Sequence, residues 1–313
     1  MSVNTIEVEN LAKQFGTFTA VDHISFQVKE GEIFGFLGAN GAGKSTTIRM
    51  LCGLLQSTAG TARVGGFDIN TQSEKVKESI GYMSQRFSLY EDLTVDENIN
   101  FFGKVYGLSD RELMERKKWV LEIANLRGRE KSITGTLSGG WKQRLALGCA
   151  VLHRPRIVFL DEPTSGVDPL MRRRFWELIN DLSSQGTTIL VTTHYLEEAE
   201  YCNDIILINA GRIIAGGSPK ELKERHITMP ILEVQCSHVI EALAILEQQP
   251  WAVETSVFGV SIHVTVSNER VARREIPKVL SAKGLRVDSL DRITPSLEDV
   301  FIFLLNQESG RAA

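Results

Sequence analysis

Residues 32–46 read EIFGFLGANGAGKST, and this stretch decides the fold of the chain. Its first six residues are almost entirely apolar, which is typical of a short strand buried on both faces. The next eight fit the pattern G-x-x-x-x-G-K-[ST], and residues 45–55 are predicted to form a helix directly after them. A strand, a glycine-rich turn and a helix in this order open an α/β domain with a phosphate site at the turn.

The glycine-rich turn predicts a cradle for the phosphates of a nucleotide. Glycines let successive backbone N–H groups point inward, and the following helix adds the positive end of its dipole. Lys44 would carry a positive charge to the β- and γ-phosphates, and the Ser45 hydroxyl would bind Mg²⁺. The predicted cradle consists of Gly38, Ala39, Asn40, Gly41, Ala42, Gly43, Lys44, Ser45 and Thr46. Taken alone the motif indicates only a nucleoside triphosphate, because kinases and GTPases share it.

A second apolar run, IVFLDE at residues 157–162, ends in two acids. A buried strand of this kind would deliver Asp161 to its carboxyl end beside the phosphate loop, where it could hold Mg²⁺ through water. Glu162 would then orient or deprotonate the attacking water. The alternative is a strand that merely ends in two solvated acids, and the phosphate loop argues against it.

Residues 137–144 read LSGGWKQR and supply a second possible phosphate contact. Ser138 and two glycines open a predicted helix at 140–152, which gives another group of N–H donors. One phosphate loop already occupies one face of a triphosphate, so a second group of donors in the same chain implies another protomer. A capped helix that binds nothing is the alternative.

This stretch resembles the signature sequence of ABC ATPases, and the resemblance covers roughly residues 4–225. It implies a P-loop NTPase domain with antiparallel β and helical subdomains. It also implies a head-to-tail dimer, in which Ser138, Gly139 and Gly140 of one subunit close over the ATP held by the other. The cofactors that the resemblance implies are ATP and Mg²⁺, and the activity is ATP hydrolysis.

Four further residues stand at positions that the family uses. Phe15 is placed to stack on adenine, and Gln85 resembles the glutamine that contacts Mg²⁺ or water and senses the membrane subunit. Asp168, in the stretch SGVD at 165–168, resembles the key residue of the loop that crosses the dimer interface. His194 resembles the switch histidine of the γ-phosphate. The implied catalytic residues are Glu162, His194 and Gln85; the implied metal ligands are Ser45, Gln85 and Asp161.

One residue departs from the family pattern. Trp141 occupies a position where glutamine is common. Because that position faces less directly toward the phosphates, we expect altered helix packing rather than lost activity.

The rest of the first domain follows an α/β pattern, and a second pattern begins after the break GGSP at 216–219. The further strands of the first domain are predicted near 4–12, 21–29, 79–84, 156–161, 187–193 and 204–209, with helical stretches near 95–126, 140–152 and 170–184. The later elements are strand 231–236, helix 237–248, strands 252–258 and 260–266, helix 268–283, strand 285–293 and a last helix near 296–306. This βαββαβ order predicts a small α+β ferredoxin-like module. We therefore expect an ATPase domain at 1–225 and an accessory or regulatory module at 226–313.

The ending TPSLEDVF at 294–301 resembles the tail of daunorubicin-resistance-type ATPases, which serve drug, lipid, ion or polysaccharide exporters. Importer ATPases for sugars usually carry a β-barrel regulatory domain instead, so the resemblance favours export. It also implies a permease contact around residues 85–106, a stretch that includes Phe87 and Tyr90. Phe101 and Phe102 fit either that contact or the core of a helical subdomain.

The bulk composition excludes several classes of protein. The 313 residues carry a formal net charge of −4, and a general nucleic-acid binder would show a basic excess. The start has no signal-peptide pattern, and no apolar stretch approaches the roughly 20 residues that cross a bilayer. The four cysteines lie far apart and form no metal or disulfide pattern.

The expected partners are a second ATPase subunit, as a homodimer, and an integral membrane permease, with no nucleic acid. The resemblance places such a protein peripherally on the cytoplasmic face of the plasma membrane. An importer ATPase and a soluble ABC ATPase acting on ribosomes or DNA are the alternatives. The transported substrate stays open, because it would contact the permease.

Overall fold

The computed structural model describes residues 4–86 and 88–311. The chain divides into two compact units, and the boundary lies between Pro219 and Lys220 in the sequence. The boundary that the sequence predicts, after residue 225, falls within the helix that spans Pro219–His226. None of the helices in the described ranges is both long enough and apolar enough to span a bilayer.

The first unit mixes strands and helices in the order expected of an α/β domain. Its strands are β1 (Asn4–Phe15), β2 (Phe18–Lys29), β3 (Ile33–Leu37), β4 (Ala59–Val64), β5 (Phe67–Asp68), β6 (Ile80–Met83), β7 (Ile157–Asp161), β8 (Thr188–Thr193), β9 (Asp204–Asn209) and β10 (Arg212–Gly217). Its helices are α1 (Lys44–Leu51), α2 (Ser73–Ser79), α3 (Val95–Val105), α4 (Asp110–Ile123), α5 (Gly139–Ala150) and α6 (Pro169–Ser184), and α7 (Pro219–His226) begins at the boundary. Two short 3-10 helices span Thr134–Thr136 and Leu196–Tyr201.

The site is built on a six-stranded sheet with the order β10-β9-β3-β8-β7-β6. All its pairings are parallel except that of β10 with β9. Every residue of β3, β7 and β8 is buried, as expected of strands covered on both faces. Since β3, β7 and β8 are neighbours, the residues at their carboxyl ends meet at one edge.

A second, antiparallel sheet has the order β2-β1-β4-β5. β1 and β2 were predicted, with shorter bounds, whereas β4, β5 and β10 were not. β4 is exposed at four of its six residues and begins at Ala59-Gly60, so its sequence shows no buried strand pattern. It forms because it pairs with β1, for example Val8 with Ala62.

The helices α3, α4 and α5 of the first unit pack together, and we call them the helical part. This part has its own apolar core, which includes Val95, Ile99 and Leu145. The prediction of one helical stretch over 95–126 is wrong, because α3 ends at Val105 and a new helix begins at Asp110. Ser109 and Glu112 form a capping box that starts α4.

The two phenylalanines of α3 differ in their surroundings. Phe102 packs against the core of the helical part. Phe101 is 39% exposed and contacts Tyr90 edge to face at 4.7 Å. Phe87, which we grouped with them, lies outside the described residues.

The second unit contains the βαββαβ order that the sequence indicates. Its elements are β11 (Ile231–Cys236), α8 (Val239–Leu246), β12 (Ala252–Phe258), β13 (Ser261–Val266), α9 (Glu269–Ser281), β14 (Val287–Ile293) and α10 (Leu297–Arg311). The strands form one antiparallel sheet with the order β12-β13-β11-β14. Apolar residues of the sheet and of α8 and α9, among them Leu232, Ala242 and Ile276, form its core.

Candidate nucleotide site

The phosphate loop joins β3 to α1 and depends on close backbone approaches. Gly43 has φ 106°, and a Cβ there would lie 2.5 Å from the carbonyl oxygen of Ala20. A Cβ on Gly38 would lie 2.3 Å from the carbonyl oxygen of Ile208. Both positions therefore require glycine, and the loop curls tightly before α1 begins.

Lys44 turns back into this curl. Its Nζ donates to the carbonyl oxygens of Gly38 at 2.8 Å and Ala39 at 3.1 Å. It also lies 3.3 Å from Oε1 of Glu162, and the two side chains are only 3% and 8% exposed. Because the pair is shielded from water, its attraction is stronger than at the surface. The amine is thus fixed inside the predicted cradle, next to the predicted base.

Asp161 ends β7 and is linked to two neighbouring elements. Its Oδ1 accepts from the Ser45 hydroxyl at 2.9 Å and from the Thr192 hydroxyl at 2.7 Å. Burial raises the pKa of Asp161, although the hydrogen bonds from Thr192 and Ser45 act in the opposite direction. Sequence reasoning gave Thr192 no role. Its signal was weak, a polar residue near the end of a buried strand before His194, and its contact follows from the pairing of β7 with β8.

The donors at this point fit a magnesium ion. Mg²⁺ prefers hard oxygen ligands and is usually bound by one or two protein groups together with substrate phosphates and water. Ser45 and Asp161 offer a hydroxyl and a carboxylate side by side. A cation would also relieve the burial of the Asp161 charge, which is 3% exposed.

Glu162 occupies an unusual backbone conformation at the centre of the site. Its φ is 47°, in the left-handed region that non-glycine residues rarely adopt. Its N–H donates to the hydroxyl of Thr192 at 2.9 Å and lies 3.1 Å from the Thr192 carbonyl oxygen, and these contacts hold the turn. Strained backbone of this kind clusters at functional sites.

The Glu162 carboxylate gathers three of the predicted residues. Lys44 contacts Oε1, and Gln85 Nε2 donates to Oε2 at 3.1 Å. His194 Nδ1 lies 3.3 Å from the same Oε2, is buried, and is not aligned to make a hydrogen bond. Residues far apart in sequence thus converge on one carboxylate at the carboxyl edge of the sheet. We call Lys44, Gln85, Glu162 and His194 the Glu162 cluster.

Three other predicted residues lie apart from the Glu162 cluster. Phe15 ends β1, is 49% exposed, and has the Lys13 ammonium 5.1 Å from its ring centre. Ser138 precedes α5 and makes no side-chain cap. Asp168 caps α6 by accepting from the N–H groups of Leu170 and Met171. Within the described ranges no hydrogen bond or ion pair connects Phe15, Ser138 or Asp168 to the cluster.

Trp141 anchors the first turn of α5. It is half-buried and packs against the core of the helical part. The guanidinium groups of Arg129 and Arg144 lie 4.7 and 5.7 Å from its ring centre. Such contacts add about 0.5–1 kcal/mol each at exposed positions. Packing of this side chain therefore helps to hold the helix start, where Ser138 makes no side-chain capping hydrogen bond.

A phosphate loop after a buried strand, with acids ending a nearby strand, defines a P-loop nucleotide-binding protein. Family models agree: one described as ABC transporter matches residues 21–165, and one described as ATP-binding protein DrrA1-3-like, C-terminal domain, matches residues 217–304. A model of an AAA domain, putative AbiEii toxin, also matches residues 135–198 and overlaps the first.

Curated relatives extend over most of the chain. The linearmycin resistance ATP-binding protein LnrL of Bacillus subtilis is 37% identical over 304 residues, which are 96% of this chain and 97% of LnrL. The Nod factor export ATP-binding protein I of Rhizobium sp. is 37% identical over 309 residues, 98% of this chain and 99% of that protein. The chain belongs to the family of ABC transporter ATP-binding proteins.

Other matches cover about 70% of the chain. The probable multidrug ABC transporter ATP-binding protein YbhF of Escherichia coli is 52% identical over 218 residues, which are 70% of this chain but 38% of YbhF. A solved ATP-binding subunit of an ABC transporter is 32% identical, with a TM-score of 0.65 over 71% of this chain and 92% of that one. The dimeric post-hydrolysis structure of the cassette MJ0796, bound to ADP and Pi, is 26% identical, with a TM-score of 0.63 over 68% of this chain and 98% of that one.

Proposed function

We propose that this chain binds and hydrolyses ATP as the motor subunit of an ABC exporter whose permease is a separate membrane protein. The observation that carries the proposal is the Glu162 cluster, set beside the paired Ser45 and Asp161. A carboxylate fixed in place next to a phosphate loop is placed to act as general base for an attacking water.

In this mechanism the phosphate loop binds the triphosphate through its N–H groups, and Lys44 neutralises the charge of the β- and γ-phosphates. Ser45, Asp161 and Gln85 would hold Mg²⁺, and the ion would supply charge neutralisation on the phosphate oxygens. Glu162 orients the water and withdraws its proton. Gln85 fixes the direction of that carboxylate by donating to Oε2, and His194 lies beside the same oxygen.

We propose that ATP completes a dimer. Ser138, Gly139 and Gly140 would contribute N–H donors to the nucleotide held by a second copy, and Asp168 would lie at the interface between the copies. Ser138 and Gly139 are exposed, and the Ser138 hydroxyl makes no cap within its own chain. The dimeric structure of the MJ0796 cassette, bound to ADP and Pi, supports a dimer by analogy. Phe15, exposed at the end of β1, would stack on the adenine.

We assign the export direction and the accessory module by similarity. LnrL and the Nod factor protein bear names of resistance and export, and both align along nearly their full lengths. Residues 226–313 form the accessory module in this proposal, and they would stabilise or regulate the dimer. The exposed pair Tyr90 and Phe101 would contact the permease, which would hold the chain at the cytoplasmic face of the membrane.

The first test is hydrolysis by the purified chain. We expect ATP turnover that requires Mg²⁺ and stops when the metal is chelated. Lys104→Ala, whose ammonium pairs with Asp110 on the surface of the helical part, is the matched lysine control for a Lys44→Ala variant. Turnover that survives Lys44→Ala as well as it survives Lys104→Ala would exclude this site.

The second test addresses the partner. The tagged chain is isolated from detergent-solubilised membranes, and we expect a polytopic membrane protein to co-purify with it. Tyr90→Ala together with Phe101→Ala should reduce that recovery while leaving ATP affinity unchanged. Recovery of ribosomes or DNA in place of a membrane protein would overturn the exporter assignment without affecting the ATPase assignment.

A further inference from the structure

Glu198 is a buried carboxylate outside the Glu162 cluster. It lies in the 3-10 helix Leu196–Tyr201, which follows His194, and its side chain is 1% exposed. An ionised carboxylate this deeply buried is costly unless other groups compensate its charge. The residues around Glu198 therefore indicate its role.

Two separate segments of the chain meet at the Glu198 carboxylate. Its Oε1 accepts a hydrogen bond from the Thr164 hydroxyl at 2.5 Å, and Thr164 is itself 1% exposed. Thr164 belongs to the segment that runs from Glu162 to Asp168. The second neighbour is Arg172, whose Nε lies 3.4 Å from the same oxygen.

Arg172 ties this carboxylate to the start of α6. It stands in the first turn of the helix, where its backbone N–H donates to the carbonyl oxygen of Asp168 at 2.9 Å. Asp168 is the residue that we place at the interface between copies. A displacement of Asp168 would therefore displace the Arg172 backbone with it.

Arg172 also reaches the segment that carries the histidine. Its guanidinium carbon lies 3.9 Å from the centre of the Tyr195 ring, and that ring is 4.1 Å from the ring of His194. His194 in turn faces Glu162 at 3.3 Å. The contacts form a closed circuit: Glu162, the Thr164 segment, Glu198, the Tyr195 segment, His194 and back to Glu162.

Two polar atoms in this set of contacts lack a hydrogen-bond partner. Oε2 of Glu198 and Nε of Arg172 are both buried, and neither has a hydrogen-bond partner among the residues that the structure describes. A buried polar group without a partner is destabilising. The Arg172 Nε approaches Oε1 rather than Oε2, so the two charged groups lie 3.4 Å apart without a direct hydrogen bond between them.

We propose that Glu198 is a positioning residue that makes Asp168, the first turn of α6 and His194 move together. Contact of a second copy with Asp168 then sets the place of His194 against Glu162, so hydrolysis responds to closure of the dimer. This inference rests on the proposed ATPase function. It adds that the signal from the interface travels through the buried Glu198–Thr164–Arg172 contact.

The test is Glu198→Gln in the full chain, with Thr164→Val as a second variant that removes only the hydroxyl. We expect ATP affinity to be unchanged and kcat to fall by about 10- to 10²-fold, since a 1 Å misplacement of a catalytic group costs up to that much. Glu32→Gln is the matched control. Glu32 is a buried acid of the same unit, hydrogen-bonded to the Lys29 backbone beside the other end of β3, and its variant should keep the full kcat.

A double-mutant cycle with His194 distinguishes a positioning role of Glu198 from a general loss of structure. In a His194→Ala background, measured by single turnover, Glu198→Gln should add almost no further loss, because the group it positions is gone. Losses that multiply, or a loss of ATP affinity in parallel with kcat, would overturn the proposal. If wild type and Glu32→Gln both fail to hydrolyse ATP, the proposed function itself is wrong.

Discussion

The phosphate loop and the start of α5 are both glycine-rich turns that precede a helix, yet their side chains differ in the contacts they make within the chain. Around the loop, Lys44 and Ser45 are both engaged by groups of the same chain. At the start of α5, Ser138 is exposed and caps nothing with its side chain. The side chains of the phosphate loop contact groups of the same chain, whereas Ser138 and Gly139 at the start of α5 are exposed and face outward.

The surroundings of the glycines explain this difference. A Cβ on Gly43 would lie 2.5 Å from a carbonyl oxygen, whereas a Cβ on Gly139 would meet no heavy atom within 4 Å. The loop lies at the carboxyl edge of a buried sheet and is enclosed by its neighbours. The start of α5 lies on the surface of the helical part. The fold therefore requires glycine at position 43, whereas position 139 has room for a side chain.

The largest effect on hydrolysis is expected at Glu162, beside the phosphate loop. Glu162→Gln should lower kcat by about 10²- to 10⁴-fold, because a positioned base contributes that much. The amide keeps the shape of the side chain, so ATP should still bind and the variant should accumulate as an ATP-bound dimer. Kinetics and size-exclusion chromatography with ATP measure the two outcomes. Only monomer in the presence of ATP would contradict the shared-site mechanism.

Gly139→Asp tests the outward-facing turn. The new side chain meets open space within its own chain, and an acid in the first turn of a helix is favourable, so folding should be unaffected. Its charge would face the phosphates of the nucleotide on the other copy, where like charges cost several kcal/mol. We expect ATP affinity of the monomer to be kept and hydrolysis to fall by at least about 10²-fold.

The control for this variant is made in the loop. Gly43→Ala forces a Cβ against the Ala20 carbonyl, so it should abolish nucleotide binding by the monomer itself. Combining Gly139→Asp with Glu162→Gln should prevent the ATP-bound dimer. If that double variant dimerises with ATP as readily as Glu162→Gln alone, the start of α5 does not meet the partner's nucleotide.

Lys44→Ala should weaken nucleotide binding by about 10- to 150-fold, since hydrogen bonds to charged groups contribute 1.5–3 kcal/mol. Calorimetry measures the affinity directly. Lys142→Ala is the matched lysine in the first turn of α5, where it pairs with Glu91 at 2.7 Å. That variant should leave the affinity of the monomer unchanged. Equal losses in both variants would remove the distinction between the two turns.

The sequence was sufficient for the parts of the site that depend on local pattern. The apolar runs ending at Leu37 and Asp161 predicted β3 and β7, and the fixed spacing of the glycine motif predicted the loop between β3 and α1. The later strands followed from a clear alternation. The break between α3 and α4 was also readable, because Ser109 and Glu112 have the spacing of a capping box.

The contacts that were missed depend on which strands and helices become neighbours. Thr192 bonds to Asp161 across 31 residues, and Glu198 bonds to Thr164 across 34 residues. Neither spacing is a motif, and neither pair is visible until β8 lies beside β7. The strand β4 was missed for the same reason, since its exposed residues are held in place by pairing with β1. Sequence pattern thus predicts the phosphate loop better than it predicts residues such as Thr192 and Glu198, whose contacts depend on the tertiary fold.

The smallest effect is expected at Trp141, which holds the start of α5 by packing. Trp141→Gln restores the residue common in the family but removes the contacts with Arg129 and Arg144, which are worth about 0.5–1 kcal/mol each. The melting temperature should fall by about 2–4 °C per kcal/mol lost. ATP affinity should be unchanged, because among the described residues the Trp141 ring packs on the helical part and on Arg129 and Arg144. Trp119→Gln, which removes a similar contact with Arg116 at 3.8 Å on α4, is the control. If only Trp141→Gln also lowers kcat, the outward-facing donors need the ring to hold them in place; if neither variant lowers the melting temperature, packing does not hold this helix start.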